Sequence, residues 1–214
     1  MGNCNSFKNF LFLSLILLVI SGCTKNVIIK GNDVVEKITR LYRDANQVKS
    51  DLMIEEQIKD SINEEKSSFL YANNLADFAY YDVKVMEGRV MLTGVAFDLK
   101  TKAFLTNKVT ENLKARCLLD EVQIKDKKSF TFVRMKDYFL EKNIYMKVFF
   151  KSKIKSLNYE VSVMDGVAYF IGIAEDQEEH ELLLNLISTI KGIKQVITHV
   201  ITVDSDLKLK IEYI

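Results

Sequence analysis

Few residues of this 214-residue chain belong to types that carry out chemistry. The cysteines are Cys4, Cys23 and Cys117, and the histidines are His180 and His199. His180 lies in Glu178-Glu179-His180-Glu181, which reads as a solvated helix face, and His199 reads as a surface strand residue. No paired cysteines, Gly-x-Ser-x-Gly, phosphate loop or His-Glu-x-x-His occurs, so neither a nucleophile with its base nor a metal set can be assembled from local motifs. Carboxylates cluster only at Glu175, Asp176, Glu178 and Glu179, with no apolar pocket evident to raise a pKa for acid–base work. A non-enzymatic protein without metal or cofactor is expected. Cys23 has the most informative context. One charge, Lys8, precedes an apolar run over 10–20, and Ser21-Gly22 lead into Cys23. A short basic region, an apolar core and small residues at the cut describe a secretory signal peptide. The run falls short of the roughly 20 residues that span a bilayer.

Ile20-Ser21-Gly22-Cys23 resembles the lipobox of bacterial lipoproteins. That resemblance implies a diacylglyceryl group on the Cys23 thiol, removal of residues 1–22 and fatty acylation of the new amine. Several acyl chains hold a protein to a membrane where a single chain binds only marginally. Thr24 stands where an inner-membrane retention signal would have Asp, so the same resemblance implies the outer membrane, with the protein facing the periplasm. A rival anchor is Met1-Gly2-Asn3-Cys4-Asn5-Ser6, which fits N-myristoylation with Cys4 placed for palmitoylation. Removing the signal takes away Lys8, so 29 Lys+Arg meet 29 Asp+Glu and no global field draws the chain to nucleic acid. With Cys4 removed and Cys23 acylated, Cys117 has no disulfide partner, and it is expected to pack as a small hydrophobe near a helix end.

An internal repeat decides the architecture. Tyr81 to Ala96 and Tyr159 to Ala174 are identical at seven of sixteen positions, at an offset of 78. Each copy reads as an alternating strand, a Glu-Gly or Asp-Gly hairpin turn at Gly88 or Gly166, and a second strand. Gly94 and Gly172 near the end of that strand indicate a bulge or a close backbone approach. Helices are expected over 51–65, 98–115, 136–152 and 175–191, with Gly192 as a C-cap, and third strands near 121–125 and 195–203. Each unit is thus αββαβ. The fold class is α+β, two tandem units, each a small mixed sheet with two helices packed on it. The expected layout is a signal peptide over 1–22, a lipidated tether and lead-in over 23–50, units over 51–128 and 132–204, and an extension over 205–214.

The leading helix, Val-x-Val-x-(Asp/Glu)-Gly, the glycine closing strand two, and Gly192-Ile193-Lys194-Gln195-Val196 together resemble the BON domain of bacterial periplasmic and outer-membrane proteins. The second unit fits better. In the first, Leu118 stands where the loop glycine belongs, and about four extra residues lengthen the approach to strand three. Behind a lipobox, two such units are similar to the dual-BON lipoproteins, which implies contact with anionic phospholipid through the leading helix of the second unit and a part in cell-envelope integrity.

The residues of that helix support this on their own terms. Leu140, Ile144 and Val148 line one side, while Tyr138, Tyr145 and Phe149 line nearly the opposite side, with Phe139, Met146 and Phe150 beside them. Lys142, Lys147 and Lys151 add positive charge, and aromatics with lysines suit the headgroup region of an anionic bilayer. The lipid-contact set is therefore Tyr138, Lys142, Tyr145, Lys147, Phe149, Phe150 and Lys151. The first unit's helix, with Ile54, Ile58 and Ile62, shows a single apolar stripe and an acidic face. Two alternatives remain: the aromatics face the first unit, or they dock an envelope protein, with this chain as an adaptor.

Overall fold

The structure is a computed structural model that describes residues 45–75, 78–126 and 133–203. The signal peptide, Cys23, the lead-in as far as residue 44 and the extension 205–214 lie outside the described residues. In chain order the elements are α1 (Ala45–Ala72), β1 (Tyr80–Met86), β2 (Arg89–Ala96), α2 (Leu99–Thr110), β3 (Cys117–Ile124), α3 (Val133–Phe149), β4 (Tyr159–Met164), β5 (Val167–Ala174), α4 (Gln177–Ser188) and β6 (Gln195–Thr202), with a short 3-10 turn at Ser156–Asn158. This is the α+β arrangement of two αββαβ units. In each, the first two strands pair antiparallel and the third joins parallel, giving the orders β1-β2-β3 and β4-β5-β6.

Local chemistry accounts for most of these elements. Glu87-Gly88 and Asp165-Gly166 have positive φ at both central residues, the backbone of a two-residue turn whose twist matches the strands it joins. A Cβ on Gly94 would lie 2.4 Å from the Tyr80 carbonyl oxygen, and one on Gly172 would lie 2.8 Å from that of Asn158. Both glycines therefore mark close approach within a continuous ladder. Asp98 and Asp176 cap α2 and α4, accepting hydrogen bonds from Thr101 N at 2.7 Å and Glu179 N at 2.8 Å.

The structure corrects several boundaries. Helix α1 starts at Ala45, within the segment read as lead-in, and runs to Ala72. The polar run from Asn63 to Ser68 hides its continuation, yet Phe69 and Leu70 pack on the first core, with Phe69 stacked 4.4 Å from Phe104. Strand β3 spans Cys117–Ile124, not 121–125, and helix α2 stops at Thr110. The offset of 78 accordingly carries β1, β2 and β3 onto β4, β5 and β6: Arg89 faces Cys117 as Val167 faces Gln195. No extra residues precede β3, and Lys114 rather than Leu118 stands opposite Gly192. Gly192 is not the C-cap of α4, which is Thr189; it has φ +105 in the following turn, against Leu140.

Two cores lie between the sheets and their own helices. Ile54, Ile58, Ile62, Val83, Val85, Leu92 and Leu105 belong to the first, and Ile144, Val148, Val161, Val163, Phe170, Leu183 and Ile187 to the second. A third cluster joins the opposite faces of the two sheets, so the order of layers is helix, sheet, sheet, helix. Met86 and Met164, Met91 and Tyr169, and Val95 and Ile173 are repeat equivalents, and all six lie in it. Glu121 on β3 bonds to its own equivalent, His199 on β6, at 2.8 Å. Such self-matching contacts describe a local two-fold axis, the symmetry of an isologous interface, here within one chain. The central strands β2 and β5 are apolar on both faces because both faces are covered.

Candidate functional site

Helix α3 divides its circumference between three environments. Its core side carries Ile144 and Val148, both buried, with Leu140 partly so. On the same side Asp137 accepts hydrogen bonds from Asp165 N at 2.7 Å and Gly166 N at 2.8 Å, tying the helix to its hairpin turn. Burial pushes the Asp137 carboxyl above its ordinary range, against the pull of those two amides. Asp51 on α1 repeats the arrangement, accepting from Glu87 N at 2.8 Å and Gly88 N at 2.9 Å. Sequence reading missed both acids.

One flank of α3 meets the first unit. The Arg134 guanidinium stacks over the Tyr80 ring at 4.9 Å. Tyr145, expected on the aromatic face, belongs to this flank. It is half-buried against the second core, with its hydroxyl 3.3 Å from Glu160 Oε2 and 3.4 Å from the Val161 carbonyl oxygen. Burial raises its phenol above the ordinary range, and the neighbouring Glu160 adds to the effect.

The third side faces outward. Tyr138, Phe139, Phe149 and Phe150 are 56%, 64%, 63% and 76% exposed, and Met135 and Met146 are exposed with them. On a helix of about 100° per residue these positions span roughly 120°. Lys142 stands in the middle of the face, its ammonium 5.1 Å from the Tyr138 ring centroid and 5.6 Å from that of Tyr145. Lys147 and Lys151 are exposed near the end of the helix. The aromatics therefore do not face the first unit. Large apolar side chains gathered on one exposed face mark an interaction surface, whereas isolated ones are ordinary.

The first unit lacks this surface. Asp51 and Asp137, and the core stripes 54/58/62 and 140/144/148, match at an offset of 86. At that offset Lys49, Leu52, Met53, Glu56, Asp60, Asn63 and Glu64 occupy the outward positions of α1. Apart from Leu52 and Met53, the face is polar and mostly acidic.

Other chemistry-bearing residues have structural partners. His180 is half-buried, with Nε2 3.2 Å from Thr198 Oγ1, instead of solvated. His199 is likewise not a simple surface residue, since it reaches across the sheet interface to Glu121. Cys117 is exposed at the first residue of β3 and does not pack as a small hydrophobe. Among the described residues no group of His, Cys, Asp and Glu has the makings of a metal site, and no helix is long and apolar enough to cross a membrane.

A family model for the BON domain matches residues 140–204, from α3 through β6. The chain is 31% identical over 125 residues to a protein of Anaplasma centrale described as an uncharacterized protein in the gshII 5' region, a match covering 58% of this chain and 82% of that one. Among solved structures it is similar to CdsD, a structural protein of the type III secretion system of Chlamydia trachomatis, at 12% identity over 71% of this chain and 92% of that one, with a TM-score of 0.29. The C-terminal domain of CdsD matches at 12% identity over 70% and 96%, with the same TM-score of 0.29. Superposition at that score is poor.

Proposed function

The chain carries a BON domain over residues 140–204 and belongs to the family of the Anaplasma centrale protein, and from that premise we propose that it is a lipid-anchored envelope protein whose second unit lays the outer face of α3 on anionic phospholipid. The observation that carries this reading is the contrast between equivalent helices: the outward positions are aromatic and apolar on α3, polar and acidic on α1. A face about 120° wide is suited to lying in the plane of a bilayer interface, with rings at headgroup depth. Lys142, Lys147 and Lys151 then meet lipid phosphates, each adding on the order of 1 kcal/mol near a negatively charged surface. The acidic face of α1 would be repelled from the same surface, so the first unit stands away and supports. Cys23 provides the permanent anchor in the outer membrane, and the α3 face selects the patch of membrane occupied. The protein catalyses no reaction in this reading and contributes to envelope integrity.

The test is co-sedimentation of the chain, without residues 1–22 and with Cys23→Ser, on vesicles of phosphatidylglycerol in phosphatidylcholine and on phosphatidylcholine alone. Binding is expected on the anionic vesicles and is expected to fall with added salt. The pair Phe139→Ala and Phe149→Ala should lower the partition coefficient about tenfold, the equivalent of about 1.4 kcal/mol. Equal binding to both vesicle types, or no loss in the double variant, overturns the reading.

One observation favours a second reading, an adaptor for an envelope protein. Met135, Phe139, Lys142, Met146 and Phe149 follow one another at spacings of four, three, four and three, the seam with which a helix receives another helix. A photocrosslinker at position 149 yields lipid adducts in the first case and a protein adduct in the second.

A further inference from the structure

Each sheet ends in a parallel strand, β3 or β6, whose outer edge no further described strand covers. The two edges differ in chemistry. On β3, Val122 donates its amide to Asp120 Oδ1 at 3.0 Å, and its carbonyl oxygen accepts from Lys102 Nζ at 2.7 Å. Thr106 of α2 bonds to the other oxygen of Asp120 at 3.2 Å. Charged side chains thus occupy the backbone groups that a further strand would need, one of the ways in which proteins close an edge. Val122 itself is buried.

At the offset of 78 the equivalents of Lys102, Thr106, Asp120 and Val122 are His180, Leu184, Thr198 and Val200. His180 and Thr198 bond to each other at 3.2 Å, and Leu184 has no polar side-chain atom to offer. Among the described residues no side chain reaches the Val200 amide or carbonyl. Val203 donates its amide to the Ala174 carbonyl oxygen at 2.9 Å. Alternation along β6 therefore gives β5 the backbone groups of the odd residues and turns those of Val196, Thr198, Val200 and Thr202 outward. Leu184, Val196 and Val200 are only half-buried. The second unit thus presents an open edge with an apolar border where the first presents a closed, charged one.

We propose that residues 207–213 occupy this edge as a fourth strand of the second sheet, antiparallel to β6. The segment follows β6 directly and lies outside the described residues, so its sequence supplies the argument. Leu207, Leu209, Ile211 and Tyr213 alternate with Lys208, Lys210 and Glu212, the period of a strand with one face covered. Asp204-Ser205-Asp206 are turn formers, and a four-residue loop over 203–206 sets Thr202 opposite Leu207 and Val200 opposite Leu209. In that register Val200 and Leu209 exchange both backbone hydrogen bonds, and the apolar row falls on the side of Val196, Val200 and α4. Tethering favours this occupant over a second copy of the chain. A short linker holds the segment near the edge at an effective concentration on the order of millimolar, whereas a second copy loses its translational and rotational freedom. The proposal needs no lipid, so it and the membrane reading stand or fall separately.

The test is amide hydrogen exchange, read residue by residue by nuclear magnetic resonance, on the chain without residues 1–22 and with Cys23→Ser. Two variants are compared with it, one ending at Asp206 and one of full length with Leu209→Ser and Ile211→Ser. The Val200 amide is expected to be protected in the parent chain and to exchange on the order of tenfold or more faster in both variants. The Val122 amide, held by Asp120, is expected to exchange at the same rate in all three and so reports that the fold persists. The serine variant keeps the segment's length and removes only its apolar row, which separates pairing from mere proximity. A Val200 amide that exchanges freely in the parent chain, or equally in all three, leaves the edge open and overturns the proposal. Protection that grows with protein concentration puts a second copy on the edge and overturns it as well.

Discussion

Asp51 and Asp137 are the side chains on which each unit's internal geometry turns. Each accepts two backbone hydrogen bonds from a hairpin turn and is almost fully buried. Hydrogen bonds to a charged acceptor contribute about 1.5–3 kcal/mol each, and buried donors left without a partner are costly. Asp137→Ala should therefore lower stability by about 2–4 kcal/mol in denaturant titration; a loss below about 1 kcal/mol would mean the turn holds itself. The role is invisible in sequence because an acid in the first turns of a helix already has a routine explanation in the helix dipole. Its actual partners lie 36 and 37 residues away in the first unit, and 28 and 29 in the second. Tyr145 illustrates the same difficulty. Helical spacing placed it with the aromatics, while the edge of β4 supplied Glu160 and drew it to the flank.

At the scale of elements, the hairpins were legible because turn chemistry and alternation are local, and the helix cores were legible because their stripes recur at i, i+4 and i+8. The ends of elements were less so. Strand β3 begins with an exposed cysteine and includes an exposed Asp120, so as an edge strand it gives a weak alternation. Helix α1 crosses a polar run before its last apolar contacts. Caps fare better. Asp98 accepts from both the amide and the hydroxyl of Thr101, each at 2.7 Å. Asp98→Ala should cost about 1 kcal/mol, read as a lower thermal midpoint with unchanged far-ultraviolet dichroism apart from fraying at α2. An unchanged midpoint would show that packing of Leu105 and Val109 alone sets the start of the helix.

At the scale of the molecule, the two units share a core. Ile171 is fully buried between the sheets, in the cluster with Met86, Met91 and Val95 of the first unit. Ile171→Ala should cost about 2–4 kcal/mol, transfer and cavity together. Because the lost contacts belong to both units, fluorescence probes placed in either should report one coincident transition shifted downward. Separate transitions, with only the second unit shifted, would mean the sheet interface contributes little to cooperativity. Arg89 strengthens that interface by donating to the carbonyl oxygens of Gly172 and His199, both at 3.0 Å, and Lys125 pairs with Asp165 across the units.

The sequence alone determined the repeat, the αββαβ order, the turn glycines, the core stripe of α3 and the contrast between its outer face and that of α1. These rest on local periodicity and turn stereochemistry, which a chain carries wherever it folds. Tertiary structure decided that the free faces of the two sheets cover each other, that Tyr145 turns inward while Phe139, Phe149 and Phe150 stay outside, and that Arg89 reaches carbonyl oxygens of the second unit. Periodicity states which residues share a face; what covers that face depends on contacts between segments far apart in the chain.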